Sequence, residues 1–139
     1  MDDPHHLQRF VDAQAPVFEA VMAELSSGRK RNHWMWFVFP QIAGLGFSPM
    51  AQRYALKSLA EAKAYLAHPL LGDRLRRCTD LLLALEGKGI TAILGSPDDM
   101  KFRSCMTLFG RAAPDEPRFR LALERYFAGV PDPATLERL

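Results

Sequence analysis

The sequence predicts an all-α fold, a single compact domain over residues 1–139 with about six to seven helices and a short aromatic segment threading its core. Three observations predict it. Apolar residues recur at alternating spacings of three and four, the pattern of one buried helix face. Prolines repeatedly follow a residue that can cap a helix, as at helix starts. No stretch shows the alternation of polar and apolar residues that a hairpin requires.

The elements follow in order. Asp3-Pro4 and Ala15-Pro16 read as two helix starts, and the second helix ends at Leu25–Gly28. Trp34–Phe39 has strand propensity but no partner strand, so it is a short helical or extended segment inside a helical domain. Ser48-Pro49 opens the next helix, and Leu56, Leu59, Lys63 and Leu66 form a weak stripe after it. His68-Pro69 leads into the strong stripe Leu71, Leu75, Cys78, Leu82 and Leu85, stopped near Gly87. Ser96-Pro97, with Asp99 at capping-box spacing, introduces Phe102, Cys105, Met106 and Phe109, with a stop expected at Gly110. Glu116-Pro117 starts a third clear stripe, Phe119, Ala122, Leu123, Tyr126 and Phe127, ending at Gly129. Asp132-Pro133 begins a last helix.

Composition bounds the function. At 48% hydrophobic and 24% charged, the chain is a globular protein of ordinary size, long enough for one core. A net charge of +2 implies a nucleic-acid partner only if the cations cluster on one face. The start, Met1-Asp2-Asp3-Pro4, lacks the apolar stretch of a secretory signal, and no apolar run reaches the roughly 20 residues of a membrane span. No membrane association is expected, and cytoplasm is the expected location. Cys78 and Cys105 lie in apolar stripes and read as buried reduced thiols. No CxxC or paired-histidine spacing exists, so neither a metal site nor a cofactor is expected.

One segment stands out, Gly28-Arg29-Lys30-Arg31-Asn32-His33-Trp34-Met35-Trp36-Phe37-Val38-Phe39-Pro40-Gln41. Its cations run into both tryptophans without a spacer, so burying the aromatics must draw hydrogen-bond donors to the core's edge. The plain reading is that the cations interact with a helix C-terminus and are otherwise solvated. The sharper reading is that one, Arg31 foremost, turns inward as an anion clamp or stacks on a tryptophan. His33 is the best acid–base candidate if it lines a cleft, and otherwise a residue at the core's edge. Trp34 and Trp36 share a side if the segment is extended and point apart if it is helical. Gln41 and the Gly44-Leu45-Gly46 loop follow, either as a close approach to a ligand or as a tight turn. Further on, Lys101 and Ser104 project from one helix face and would floor a polar pocket if that face met the Arg31–Trp34 segment.

The strings GRKRNHWMWFVFPQ, then GLG and Ser48, then EAKAYLAHPLLGDRL, and finally DDMKFRSCMTLF occur in this order between Leu7 and about Phe127. With them the chain resembles an uncharacterised family catalogued as domain of unknown function eighteen-ten. The resemblance implies an all-α single domain and no particular reaction. Members of that family sometimes carry the label calpastatin, but a disordered protease inhibitor would lack this periodicity and aromatic content.

Three functions fit the sequence. The favoured one is a site for an anionic, ring-containing, nucleotide-like small molecule, formed by Arg29, Arg31, His33, Trp34, Trp36, Gln41, Lys101 and Ser104. It predicts a concave, largely apolar pocket on which Arg31, His33 and Lys101 converge. The second is a non-catalytic protein-interaction or structural module, with both tryptophans fully buried and no ligand-sized pocket beside them. The third and weakest is nucleic-acid binding through Arg29–Arg31 with Arg74, Arg76 and Arg77 on one basic face. No catalytic residue is assigned.

Overall fold

The computed structural model describes residues 2–139, and within them every regular element is helical. The helices are α1 (Gln8–Gln14), α2 (Phe18–Ser27), α3 (Met35–Val38), α4 (Pro49–Arg53) and α5 (Leu59–Ala67), followed by α6 (Leu71–Ala84), α7 (Ile90–Leu94), α8 (Asp98–Ala112), α9 (Pro117–Phe127) and α10 (Pro133–Glu137). That makes ten helices among the described residues, against the six to seven expected. The difference lies in α7, which no sequence signal announces, in α3, whose segment reads as either helical or extended, and in the stretch after Ser48-Pro49, which divides into α4 and α5. The only extended pairing among the described residues is an isolated parallel bridge between Ile42 and Leu56.

Helix α8 is the centre of the packing. Eight of its 15 residues are buried, and it contacts α5, α7, α9 and α10. Helix α6 lies against α2, α5 and α9 through the face carrying Leu71, Leu75, Cys78 and Leu82. The buried apolar side chains form one cluster, in which Phe39 meets Phe102 edge-on with centroids 5.1 Å apart. No helix is long and apolar enough to cross a membrane among the described residues.

The local signals act as their chemistry requires at most positions. Ser48 and Asp132 cap α4 and α10 by accepting from the backbone N–H groups of Ala51 and Thr135. Gly28 ends α2 in the left-handed region at φ 77°, and there the Arg29 N–H reaches the Glu24 carbonyl at 3.0 Å. Other expectations need correction. Asp3-Pro4 and Ala15-Pro16 lie ahead of the first two helices rather than at their starts: α1 follows Leu7, with the Asp3 carboxylate accepting from the Leu7 and Gln8 N–H groups, and α2 follows Val17. Ser96 does not cap α8: Pro97 holds the N-cap position, and the Asp99 carboxylate is taken up by the Thr91 hydroxyl and the Met100 N–H. Gly110 does not stop α8 but lies inside it, where a Cβ would stand 3.9 Å from Cβ of Phe119 on α9. The stripe Leu56, Leu59, Lys63 and Leu66 is displaced as well. Leu56 precedes α5, Lys63 is exposed, and the buried face is Glu61, Ala62, Tyr65 and Leu66. Glu61 escapes an apolar count because it is buried to serve a capping arrangement, receiving the Lys57 N–H while Ser58 accepts from Glu61's own N–H.

Candidate functional site

The basic–aromatic segment is organised by an acid, Glu24, near the end of α2. Its carboxylate accepts from the Arg31 N–H at 2.6 Å, the Asn32 N–H at 2.9 Å, the Asn32 side-chain amide at 2.8 Å and the Trp34 indole N–H at 3.1 Å. Burial opposes ionisation here. The hydrogen bonds from Arg31, Asn32 and Trp34 outweigh it and hold the carboxyl at about 2. This carboxylate pins the chain as it leaves α2 and fixes Trp34 in the core, where it is fully buried.

The segment that follows is helical, so the tryptophans point apart. Trp34 enters the core, whereas Trp36, within α3, is only half-buried. The cation that turns inward is Lys30, not Arg31. Its Nζ lies 2.8 Å from Oδ2 of Asp98 and 5.0 Å from the Trp34 ring centroid. Lys101, one turn along α8, places its Nζ 3.5 Å from the other oxygen of Asp98 and 5.0 Å from the Trp36 ring. Asp98 thus bridges two ammonium groups, each over an indole, and couples the start of α8 to the segment containing α3. The Lys30 side chain is only 7% exposed and Lys101 23%, so Lys101 is the ammonium that solvent and solutes can reach.

Around this cluster lies a cleft made of two adjoining hollows. One, of about 270 Å³, is lined by Lys30, His33, Trp36, Ser96, Asp98 and Lys101. The other, of about 360 Å³, shares Pro97 and Lys101 with it and runs past Gln41, Gly46, Phe47, Met100, Ser104 and Asp132. The two sequence motifs therefore meet in space, with Lys101 at the junction. The amides of α8's first turn offer no anion cradle, because those of Asp99, Met100 and Lys101 already bond the carbonyls of Gly95 and Pro97.

His33, Trp36, Gln41, Lys101 and Ser104 line this cleft. Ser104 is largely buried and donates to Asp132 Oδ2 at 3.0 Å. Arg29 and Arg31 are exposed, neither side chain makes a hydrogen bond or ion pair among the described residues, and neither lines the cleft. The glycine loop is a tight structural turn. Gly44 sits at φ 95° against the Arg138 guanidinium, and a Cβ on Gly46 would lie 2.7 Å from Cβ of Ala51.

A larger cleft of about 600 Å³ lies between the chain start and the Arg53–Glu61 segment. Its deepest cation, Arg9, is occupied structurally, donating to the carbonyls of His5, His6, Arg53 and Ala55. The arginines of α6 are likewise engaged: Arg74 over Phe18, Arg76 with Glu116 at 2.7 Å, and Arg77 with Asp73 at 3.8 Å.

Comparison with known proteins places this architecture. The profile of the family described as "Protein of unknown function (DUF1810)" matches residues 4–139. The chain belongs to the DUF1810 family. A crystal structure at 1.38 Å of the conserved hypothetical protein Rv1873 from Mycobacterium tuberculosis is similar to this DUF1810 chain throughout. Its TM-score is 0.98 and its identity 53%, with 99% of this chain and 98% of that one covered. A search of curated proteins finds no match.

Four side chains that shape the DUF1810 cleft or its frame are not singled out by sequence reasoning: Glu24, Lys30, Asp98 and Asp132. Lys30 sits between two arginines that look equally suitable. Asp98 and Asp132 read as ordinary residues of helix starts, and Glu24 belongs to no diagnostic pair. One sequence signal does separate Lys30. It follows the helix-ending Gly28 by two residues, and its N–H bonds the Ile93 carbonyl at 2.8 Å, which directs the chain inward there.

Proposed function

We propose that the cleft joining Trp36, Lys101 and Gln41 binds an anionic, ring-containing small molecule of nucleotide-like character. The observation that carries this reading is the Lys30–Asp98–Lys101 arrangement. Two ammonium groups share one carboxylate, leaving one excess positive charge beside a half-buried indole. A solute anion would meet a pre-positioned donor at Lys101 and a flat apolar surface within one cleft. His33, exposed at the cleft's edge, is within the same wall and is the acid–base group available if binding leads to chemistry. Two unpaired buried thiols fit a reducing, cytoplasmic setting.

Thermal-shift measurements against nucleotides, nucleotide sugars, ADP-ribose-type compounds and sugar phosphates test the reading. A ligand at 100 times its Kd adds about 2.7 kcal/mol, roughly 8 °C in Tm for a chain of this size. Lys101→Ala and Trp36→Leu, each shown to be folded by circular dichroism, should lose that shift. Silence across the panel, or shifts that persist in both variants, would refute it.

A second reading, a non-catalytic interaction module, lacks the full burial of Trp36 and the absence of a neighbouring cleft expected of it, but one observation favours it. Phe47 is 82% exposed and stands with exposed Met100 on the cleft's rim, an arrangement that suits an apolar contact from a protein partner.

A further inference from the structure

We infer that the cleft is bipartite and that its ligand is a phosphorylated sugar ring, as in a ribose phosphate or nucleotide, with its phosphate at Lys101 and its hydroxyls at Asp132 and Gln41. This deepens the proposed anion-binding reading and rests on it. Asp132 is held in place by its neighbours on α8 and α10. Its Oδ2 accepts from the Ser104 hydroxyl at 3.0 Å, the Thr135 N–H at 3.1 Å and the Thr135 hydroxyl at 2.6 Å. Its own N–H donates to the Thr107 hydroxyl at 2.9 Å. Among the described residues the second oxygen, Oδ1, takes no hydrogen bond and no cation lies within ion-pair distance of the carboxylate. One oxygen is saturated by the protein and the other is free to accept.

A bare anion has no use for such a group and is repelled by it, whereas a hydroxyl donor fits it. Gln41 lines the same part of the cleft, and its side-chain amide also has no partner among the described residues, so it offers a donor and an acceptor together. Lys101 lies at the junction with the cationic part, so one molecule with a phosphate and a hydroxyl-bearing ring engages both ends. Phe47 and Met100 at the acceptor end supply apolar cover for a ring face.

Isothermal titration with AMP, ribose 5-phosphate and 2′,3′-dideoxy-AMP tests the inference. The wild type should bind AMP or ribose 5-phosphate, and dideoxy-AMP at least about tenfold more weakly than AMP, the loss expected when hydroxyls paired to a charged acceptor are removed. Asp132→Ala should narrow the gap between AMP and dideoxy-AMP by weakening AMP alone. Because Asp132 also caps α10, Gln41→Ala serves as a second variant that keeps the cap and should weaken AMP without changing dideoxy-AMP. Equal binding of AMP and dideoxy-AMP by the wild type would overturn the bipartite assignment while leaving anion binding intact. No binding of AMP or ribose 5-phosphate would overturn this inference, and if the wider panel is silent as well, the anion-binding reading falls with it.

Discussion

Glu24 shows how one side chain sets the form of the site without touching a ligand. Its four hydrogen bonds hold the turn between α2 and α3, and its pKa falls from 4.5 to about 2. A folded value below the unfolded one stabilises the protein fully above the unfolded pKa, and the gain is lost as pH falls toward the folded value. A depression of this size corresponds to about 3 kcal/mol at neutral pH. Glu24→Gln should therefore cost on the order of 2–3 kcal/mol in denaturant unfolding at pH 7, with the gap to wild type closing as pH approaches about 2. A gap independent of pH would show that the charge is not the agent. The thiols make a simpler case. Cys78 is fully buried, and burial pushes it up to about 12 against the nearby charges of Arg77 and Arg74. Cys105 is raised by burial alone. Neither should react with a disulfide reagent at pH 8 in the native protein, and both should react once it is unfolded. At this scale the sequence is a partial guide. The apolar placement of both cysteines is readable from periodicity. That Lys30 and not Arg31 turns inward is not, because it depends on Asp98, a partner 68 residues away along the chain.

Elements are the most legible level. The stripes of α6, α8 and α9 are buried over most of their length, because residues three and four apart share a helix face, and only their C-terminal members Leu85, Tyr126 and Phe127 stay half-buried. The single-turn helices carry too few residues for that rule, and tertiary contacts decide them. Trp34–Phe39 illustrates the point: strand propensity is overridden by packing against α1, and the helical turn then sends Trp34 inward and leaves Trp36 at the cleft. The junction of α5 and α6 is equally tertiary in origin. A Cβ on Gly72 would lie 2.1 Å from the Leu66 carbonyl oxygen, so the close approach of these helices requires glycine. Gly72→Ala should cost more than about 2 kcal/mol in chemical denaturation, since backbone must move to admit a methyl group. A near-neutral effect would mean the two helices can separate freely.

Across the whole molecule the buried side chains form one cluster, with α8 linking the cleft at its N-terminal end to the core beneath. We expect one cooperative transition, the circular-dichroism and tryptophan-fluorescence curves coinciding, since Trp34 lies in that cluster. The cleft exists because the segment carrying α3, the start of α8 and the approach to α10 converge, and such a convergence of distant chain segments is what periodicity cannot reveal. The basic–aromatic motif and the Lys101–Ser104 motif are each visible in the sequence. Their meeting through Asp98 is visible only in the fold.

The two tryptophans provide the most direct test of the central claim. Trp34 donates its indole N–H to Glu24, while the Trp36 indole N–H faces no hydrogen-bond partner among the described residues and its ring lines the cleft. Titration of ¹⁵N-labelled protein with AMP, followed through the two indole resonances, should move the Trp36 signal and the amides around Gln41 and Lys101 while leaving the Trp34 signal nearly still. Perturbations confined to the His5–Lys57 cleft, or none up to millimolar AMP, would contradict the account.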